Sequence, residues 1–194
     1  GEDSPVGLNI VRMEISPNTQ GDVKYPWDTP YDWHGYLPVI KEAKKRGALV
    51  YGCPWSPPGS YKTNNTAQGG NSEDQGYKRG ELRQDHYAKF FPWLNSYLAY
   101  MHSNQADVDV VAIQNEPDWW VNYAGCLYSP EQLVTLVKEN AHLLKKDQYK
   151  VKLMSGESLN FNPKYTDPLL NDPGSCKYID VIGGHLYGTP PLEY

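Results

Sequence analysis

The sequence predicts an α/β fold built on a parallel sheet. Three observations carry that reading. Short apolar runs rich in β-branched residues recur at residues 7–16, 48–53, 108–113, 150–155 and 178–185. Segments with helical spacing stand between them, and the returns are short, so right-handed crossovers place successive strands side by side in parallel. The run VDVVAI at 108–113 is nearly continuously apolar, as in a strand covered on both faces. At 194 residues the chain can bury a substantial core, and a single domain over residues 1–194 is expected.

The elements follow in order. Residues 7–16, GLNIVRMEIS, form a strand with Arg12 and Glu14 near its end, and residues 17–30 are a turn-rich loop. Residues 31–46 read as a helix, with Asp32 as N-cap and Leu37, Ile40 and Ala43 on one face. Basic residues from Lys41 to Arg46 gather near its C-terminus, and Gly47 is the stop. A strand at 48–53 runs into a long Pro-, Gly-, Asn- and Ser-rich loop at 54–80, of the length usually found in functional or mobile segments. Helical spacing returns at 85–103 through Tyr87, Phe90, Phe91, Leu94, Leu98 and Met101, with Pro92 best accommodated in a first turn. After the strand at 108–113, Ser129-Pro130-Glu131-Gln132 opens another helix with a capping box, continuing through Leu133, Leu136, Val137, Asn140 and Leu144. A strand at 150–155 ends at Gly156-Glu157-Ser158. A short helical segment at 166–170 and a strand at 178–185, YIDVIGGH, complete the pattern.

Composition narrows the functional classes. A net charge of -5 and a pI near 5.5, with no basic stripe interleaved with aromatics, disfavour nucleic acid as a partner. No run approaches the roughly 20 apolar residues of a membrane span, and no Gly-rich phosphate loop of either standard pattern occurs. The 16 Tyr and 6 Trp against 3 Phe favour rings that pair an apolar face with a hydrogen-bonding edge, which suits carbohydrate recognition. Of the three cysteines, Cys53 reads as a small buried thiol, while Cys126 and Cys176 lie in loop-like contexts that leave a bridge between them open. Asn64-Asn65-Thr66 fits the short glycosylation pattern.

The chemistry points to Glu116. The apolar run at 108–113 changes abruptly into Gln114-Asn115-Glu116-Pro117, where proline forbids a further ladder bond, and then into Asp118-Trp119-Trp120. An acid at the end of a strand in an α/β barrel lies on the catalytic face, held by rigid backbone. The competing reading is a rim carboxylate in an ion pair. Asn115 supplies an adjacent amide, and Trp119 and Trp120 supply flat surface for stacking on sugar, with lid packing as the alternative. His185 reads as a hydrogen-bonded imidazole rather than a metal ligand, because no second His or Cys stands at ligand spacing. No metal or cofactor is expected.

GLNIVRMEI, ALVYGCPWSPP, DVVAIQNEPDWW, SPEQLVTLVKEN, SGES, DPLLNDP and IDVIGGHLYGT, in that order and spacing, resemble glycoside hydrolase family 30, most closely its subfamily 8 xylanase branch. The resemblance spans nearly all of the chain. It implies a (β/α)8 TIM barrel that cleaves β-glycosidic bonds with retention, with Glu116 at the acid/base position. It also implies that Asn115 contacts the sugar 2-hydroxyl, that Trp55 walls the cleaved-sugar subsite, and that Arg12 and Tyr187 orient the nucleophile. For Arg12 an ion pair with Glu14 or Glu157 is the alternative, and for Trp55 and Tyr187 simple packing.

Counted against that family, the chain corresponds to roughly strands two to six of a partial barrel. Strands one, seven and eight have no counterpart, and the family's nucleophile is expected beyond Tyr194. Glu157 is the one carboxylate that could replace it, though it would approach from a similar direction to Glu116, so the expected role is hydrogen-bonded support for Arg12 or Glu116. Open sheet edges invite either a longer polypeptide, a second copy or a complementary fragment. The implied activity is that of a secreted endo-β-1,4-xylanase portion acting on plant cell-wall xylan or xylo-oligosaccharides. A β-1,6-glucanase, β-1,6-galactanase or glucosylceramidase-like hydrolase is the alternative within the family, and a non-catalytic carbohydrate-binding fragment the alternative outside enzymes.

Overall fold

The computed structural model describes residues 8–17, 33–70 and 79–187. Five strands, β1 (Ile10–Ile15), β2 (Leu49–Pro54), β3 (Val110–Ala112), β4 (Lys152–Leu159) and β5 (Val181–His185), form one sheet in the order β1-β2-β3-β4-β5. Every pairing is parallel. Each new strand adds to the same side, with no reversal of order, so the sheet is a section of a TIM barrel rather than a doubly wound sheet with a switch point.

Alternation along the strands separates two faces. Met13, Ile15, Val50, Val111 and Leu153 point to the helices and join one large core, whereas Tyr51, Cys53, Val110, Ala112, Met154 and Val181 meet on the opposite, inner face. The helices that cover the outer face are α1 (Leu37–Lys45), α2 (Tyr87–Ser103) and α3 (Pro130–Asn140), with short segments α4 (Lys146–Tyr149), α5 (Asp167–Asn171) and α6 (Pro173–Cys176). Helix α2 contributes most to this layer, burying Phe90, Phe91, Leu94, Tyr97, Leu98 and Met101. A fully buried Phe or Leu stabilises by about 1.5–3 kcal/mol through area removed from water.

The element boundaries differ from expectation for physical reasons. The Asp32 cap lies outside the described residues, and α1 is entered through a 3-10 turn at Trp33–Tyr36. Pro92 falls in the second turn of α2 rather than the first. It faces solvent together with Ala88, where water can take the carbonyl that its missing N–H leaves free. Helix α3 has the expected capping box: Ser129 Oγ accepts from Gln132 N at 3.2 Å, and Gln132 Oε1 accepts from Ser129 N at 2.7 Å. It gives way at Asn140 to a 3-10 turn, Ala141–Leu143, so Leu144 lies beyond it.

Strand β3 is only three residues long, yet the chain beyond it stays anchored. Ile113 N donates to Met154 O, Asn115 N to Pro54 O and Glu116 N to Glu157 O, at 3.1, 2.8 and 3.1 Å. Strand β4 runs past the expected end, because Gly156 pairs with Gly183 and Ser158 with Gly184, leaving Glu157 as the extra residue of a bulge. Gly156 has φ +96, and a Cβ there would stand 2.6 Å from the Gly183 carbonyl oxygen.

Cys126 and Cys176 are not bridged; all three cysteines are free thiols. Cys126 is enclosed in the main core, and burial pushes its thiol up to about 11, while Cys176 ends α6 on the outer layer. The loop after β2 is tied down by Lys62, whose Nζ donates to the carbonyls of Ala67, Gln68 and Gly125 at 3.1, 2.7 and 2.5 Å. Asn64 of the glycosylation pattern turns its amide onto Gln68 O at 2.8 Å. Among the described residues no helix is long and apolar enough to cross a membrane.

Candidate active site

The C-terminal ends of the strands bring Arg12, Tyr51, Cys53, Trp55, Asn115, Glu116, Glu157, His185 and Tyr187 together. Glu116 is 7% exposed. Its Oε1 receives the His185 imidazole through Nδ1 at 2.8 Å and the Tyr187 hydroxyl in a very short bond. Both contacts fall on one oxygen, and no described residue bonds Oε2. The Glu116 backbone has φ +46, a conformation that residues with side chains rarely adopt, and strain of this kind collects at functional sites. The hydrogen bond to Glu116, with burial, pushes the Tyr187 hydroxyl up to about 12, so the phenol stays a donor.

Behind this carboxylate stands a second. Glu157 is 1% exposed and shares the unusual backbone of Glu116, with φ +46. Tyr51 Oη donates to Oε1 at 2.8 Å and Cys53 Sγ to Oε2 at 2.6 Å, while Arg12 Nη2 lies 3.4 Å and His185 Nε2 3.6 Å from Oε1. Burial alone would raise the carboxyl. The nearby His185 imidazole, the charge of Arg12 and the bonds from Cys53 and Tyr51 outweigh it, holding Glu157 below the usual carboxylate range. The same carboxylate, after burial itself, helps to drive the Cys53 thiol well above its ordinary value.

Arg12 therefore pairs with Glu157, and it also donates to Asn115 Oδ1 at 2.6 Å. Its guanidinium lies over the Trp55 ring at 4.4 Å and the Tyr51 ring at 5.5 Å. The Asn115 amide is thereby left with its N–H₂ end for another partner. Gln114 fixes the turn from below, donating to the carbonyls of Trp55 and Asn115 at 2.6 and 2.8 Å. Trp119 is half exposed and Trp120 half-buried on the loop beyond Glu116. The Tyr187 hydroxyl is bonded to Glu116 and lies 3.3 Å from His185 Nδ1. Among the described residues no group of three or more His, Cys, Asp and Glu could hold a metal ion.

Three residues around the site are not legible as such in the sequence, where Cys53 reads only as a buried thiol. Tyr51 and Cys53 are inward-facing neighbours at i and i+2 on β2, and that period marks them as a pair. Tyr123 is exposed on the loop after Trp120, where partial burial first and the Glu116 charge second push its hydroxyl up. Its loop position carries no periodic signal.

Fold and site together define a class: α/β-barrel proteins that place their chemistry at the C-terminal ends of parallel strands. Comparison with known proteins supplies the family. The glycosyl hydrolase family 30 TIM-barrel domain matches residues 28–193, and the chain belongs to that family. It is 28% identical to glucuronoxylanase XynC of Bacillus subtilis over 97% of its own length and 39% of that relative's. Among solved structures it is similar to the family 30 subfamily 8 xylanase Xyn30A from Clostridium acetobutylicum. That likeness has 36% identity and a TM-score of 0.82, covering 97% of this chain and 45% of that one. A family 30 endoxylanase from Clostridium papyrosolvens gives 30% identity and a TM-score of 0.74, covering 95% of this chain and 44% of that one. The chain thus spans about two-fifths of the length of the curated relative.

Proposed function

We propose that the chain forms the acid-bearing section of the catalytic barrel of a secreted, retaining endo-β-1,4-xylanase. Glu116 protonates the departing glycosidic oxygen and then takes a proton from the attacking water. The observation that supports this most is the Glu116 carboxylate itself: enclosed, on strained backbone at the mouth of the sheet, with both of its bonds on Oε1. That arrangement leaves Oε2 to face a sugar oxygen. Asn115, steadied by Arg12, offers its amide N–H₂ to a substrate hydroxyl, while Trp55, Trp119 and Trp120 supply stacking surfaces.

A retaining mechanism also needs a nucleophilic carboxylate about 5–5.5 Å from the acid, on the other side of the sugar. Glu157 is poorly suited, because it is enclosed and both its oxygens already accept from neighbours. In this reading the nucleophile is supplied by a barrel strand other than β1–β5. Further strands beside β1 and β5, whether from a longer polypeptide or a complementary chain, would supply it.

The test is hydrolysis of glucuronoxylan and of β-1,6-linked glucan by the protein with a complete barrel, with and without Glu116→Gln. Xylo-oligosaccharide release that falls about 10²–10⁴-fold in the variant is expected for loss of a general acid. Cleavage of the β-1,6 glucan alone would replace the substrate assignment. Binding of xylo-oligosaccharides without turnover would identify a carbohydrate-binding protein instead.

A further inference from the structure

Strand periodicity gives Glu157 the wrong face. Met154 points to the inner side of the sheet, so strict alternation would send residue 157 outward to the helices. The bulge between Gly156 and Ser158 inserts one residue and turns this side chain inward, and both Gly156 and Glu157 take positive φ to allow it. Three strands then specify the carboxylate: β1 through Arg12, β2 through Tyr51 and Cys53, and β4 through its own backbone. A group so fully determined, yet assigned no step in the chemistry above, acts on something else.

That something is the His185 ring, which spans the two carboxylates. Its Nδ1 is 2.8 Å from Glu116 Oε1, and its Nε2 is 3.6 Å from Glu157 Oε1. We propose that Glu157 is a positioning residue: through His185 it fixes the orientation of the Glu116 carboxylate and keeps a proton on the bond between Nδ1 and Oε1. This rests on the acid/base reading of Glu116 for its purpose but not for its detection. An anion beside Nε2 holds a proton on that nitrogen, so Nδ1 and Oε1 share the remaining one.

The other groups facing the ring fit the same account. Glu116 and Asp118 lie beyond β3, Glu157 on β4 and Arg12 on β1, with the neutral Tyr187 hydroxyl 3.3 Å from Nδ1. The Glu157 carboxylate beside Nε2 comes first in raising the imidazole above its ordinary value, burial and Arg12 work against it, and Glu116 adds to it.

The experiment is an NMR titration of the imidazole nitrogens in the wild-type chain, Glu157→Gln and Glu116→Gln, with the His185 signals assigned by their loss in His185→Gln. In the wild type both nitrogens are expected to stay protonated above the pH at which an ordinary histidine deprotonates. In Glu157→Gln the midpoint is expected to move down. A wild-type His185 that titrates like a free imidazole overturns the proposal without any variant, so poor folding of Glu157→Gln leaves it testable. An unmoved midpoint in Glu157→Gln overturns it as well. Xylan turnover that survives Glu116→Gln would remove the acid/base reading while leaving the comparison of wild type with Glu157→Gln unchanged, so the two failures are distinct.

Discussion

Gly156→Ala probes the bulge that delivers Glu157, and its cost can be built up from two parts. Gly156 has φ +96, and a residue with a Cβ in left-handed backbone loses about 1–2 kcal/mol. The added methyl would also stand 2.6 Å from the Gly183 carbonyl oxygen and 3.2 Å from Thr166 Cγ2. Neither can retreat freely, since Gly183 is held in the β4–β5 ladder, and forced overpacking of this kind costs a further ~1–3 kcal/mol. The sum is about 2–5 kcal/mol. Gly47 isolates the first part: it has φ +78, and a Cβ added there would meet nothing within 4 Å, so Gly47→Ala carries only the backbone penalty. Urea denaturation of both variants against the parent protein measures the difference. Gly156→Ala is expected to be the more destabilised by ~1 kcal/mol or more, and equal losses would refute the claim that the β4–β5 contact fixes the bulge.

Other expectations follow from single residues. Ser129→Ala removes the reciprocal cap of α3 and should lower stability by about 1 kcal/mol in the same assay, whereas a loss near zero would mean that packing alone fixes the helix start. Lys62 is held down to about 8 by burial against an ordinary 10.5. The unfolded chain therefore binds more protons between those values, and stability should rise with pH across that window relative to Lys62→Met. Denaturation midpoints at about pH 7 and about pH 10 decide this. A gap that moves the other way would mean that the three carbonyl bonds outweigh the cost of burying the ammonium.

Much of the fold is legible from periodicity, and the site only in part. The apolar strands, the helical face of α2 and the Ser129–Gln132 capping box announce themselves because their signals are local. The turn of chain after Ile113 is legible for the same reason, since proline and a polar triplet end an apolar run. Glu157 is another matter: its inward direction depends on a bulge whose partners lie on β5, and a left-handed glutamate has no sequence signature. Lys62 stands in a polar loop whose sequence does not show that the carbonyls of Ala67, Gln68 and the distant Gly125 close around it. The unbridged Cys126 and Cys176 make the same point, because loop-like context says nothing about the core that encloses Cys126.

Leaving-group dependence tests most directly whether Glu116 donates the proton to a departing sugar oxygen. In the protein with a complete barrel, kcat/KM is measured for Glu116→Gln and the parent on xylo-oligosaccharides and on an aryl xylobioside that releases a dinitrophenolate, which needs no proton to depart. A loss of about 10²–10⁴-fold is expected on the oligosaccharides and a far smaller one on bond cleavage of the aryl substrate, read from the initial burst. Equal losses on both substrates would contradict the role given to Glu116.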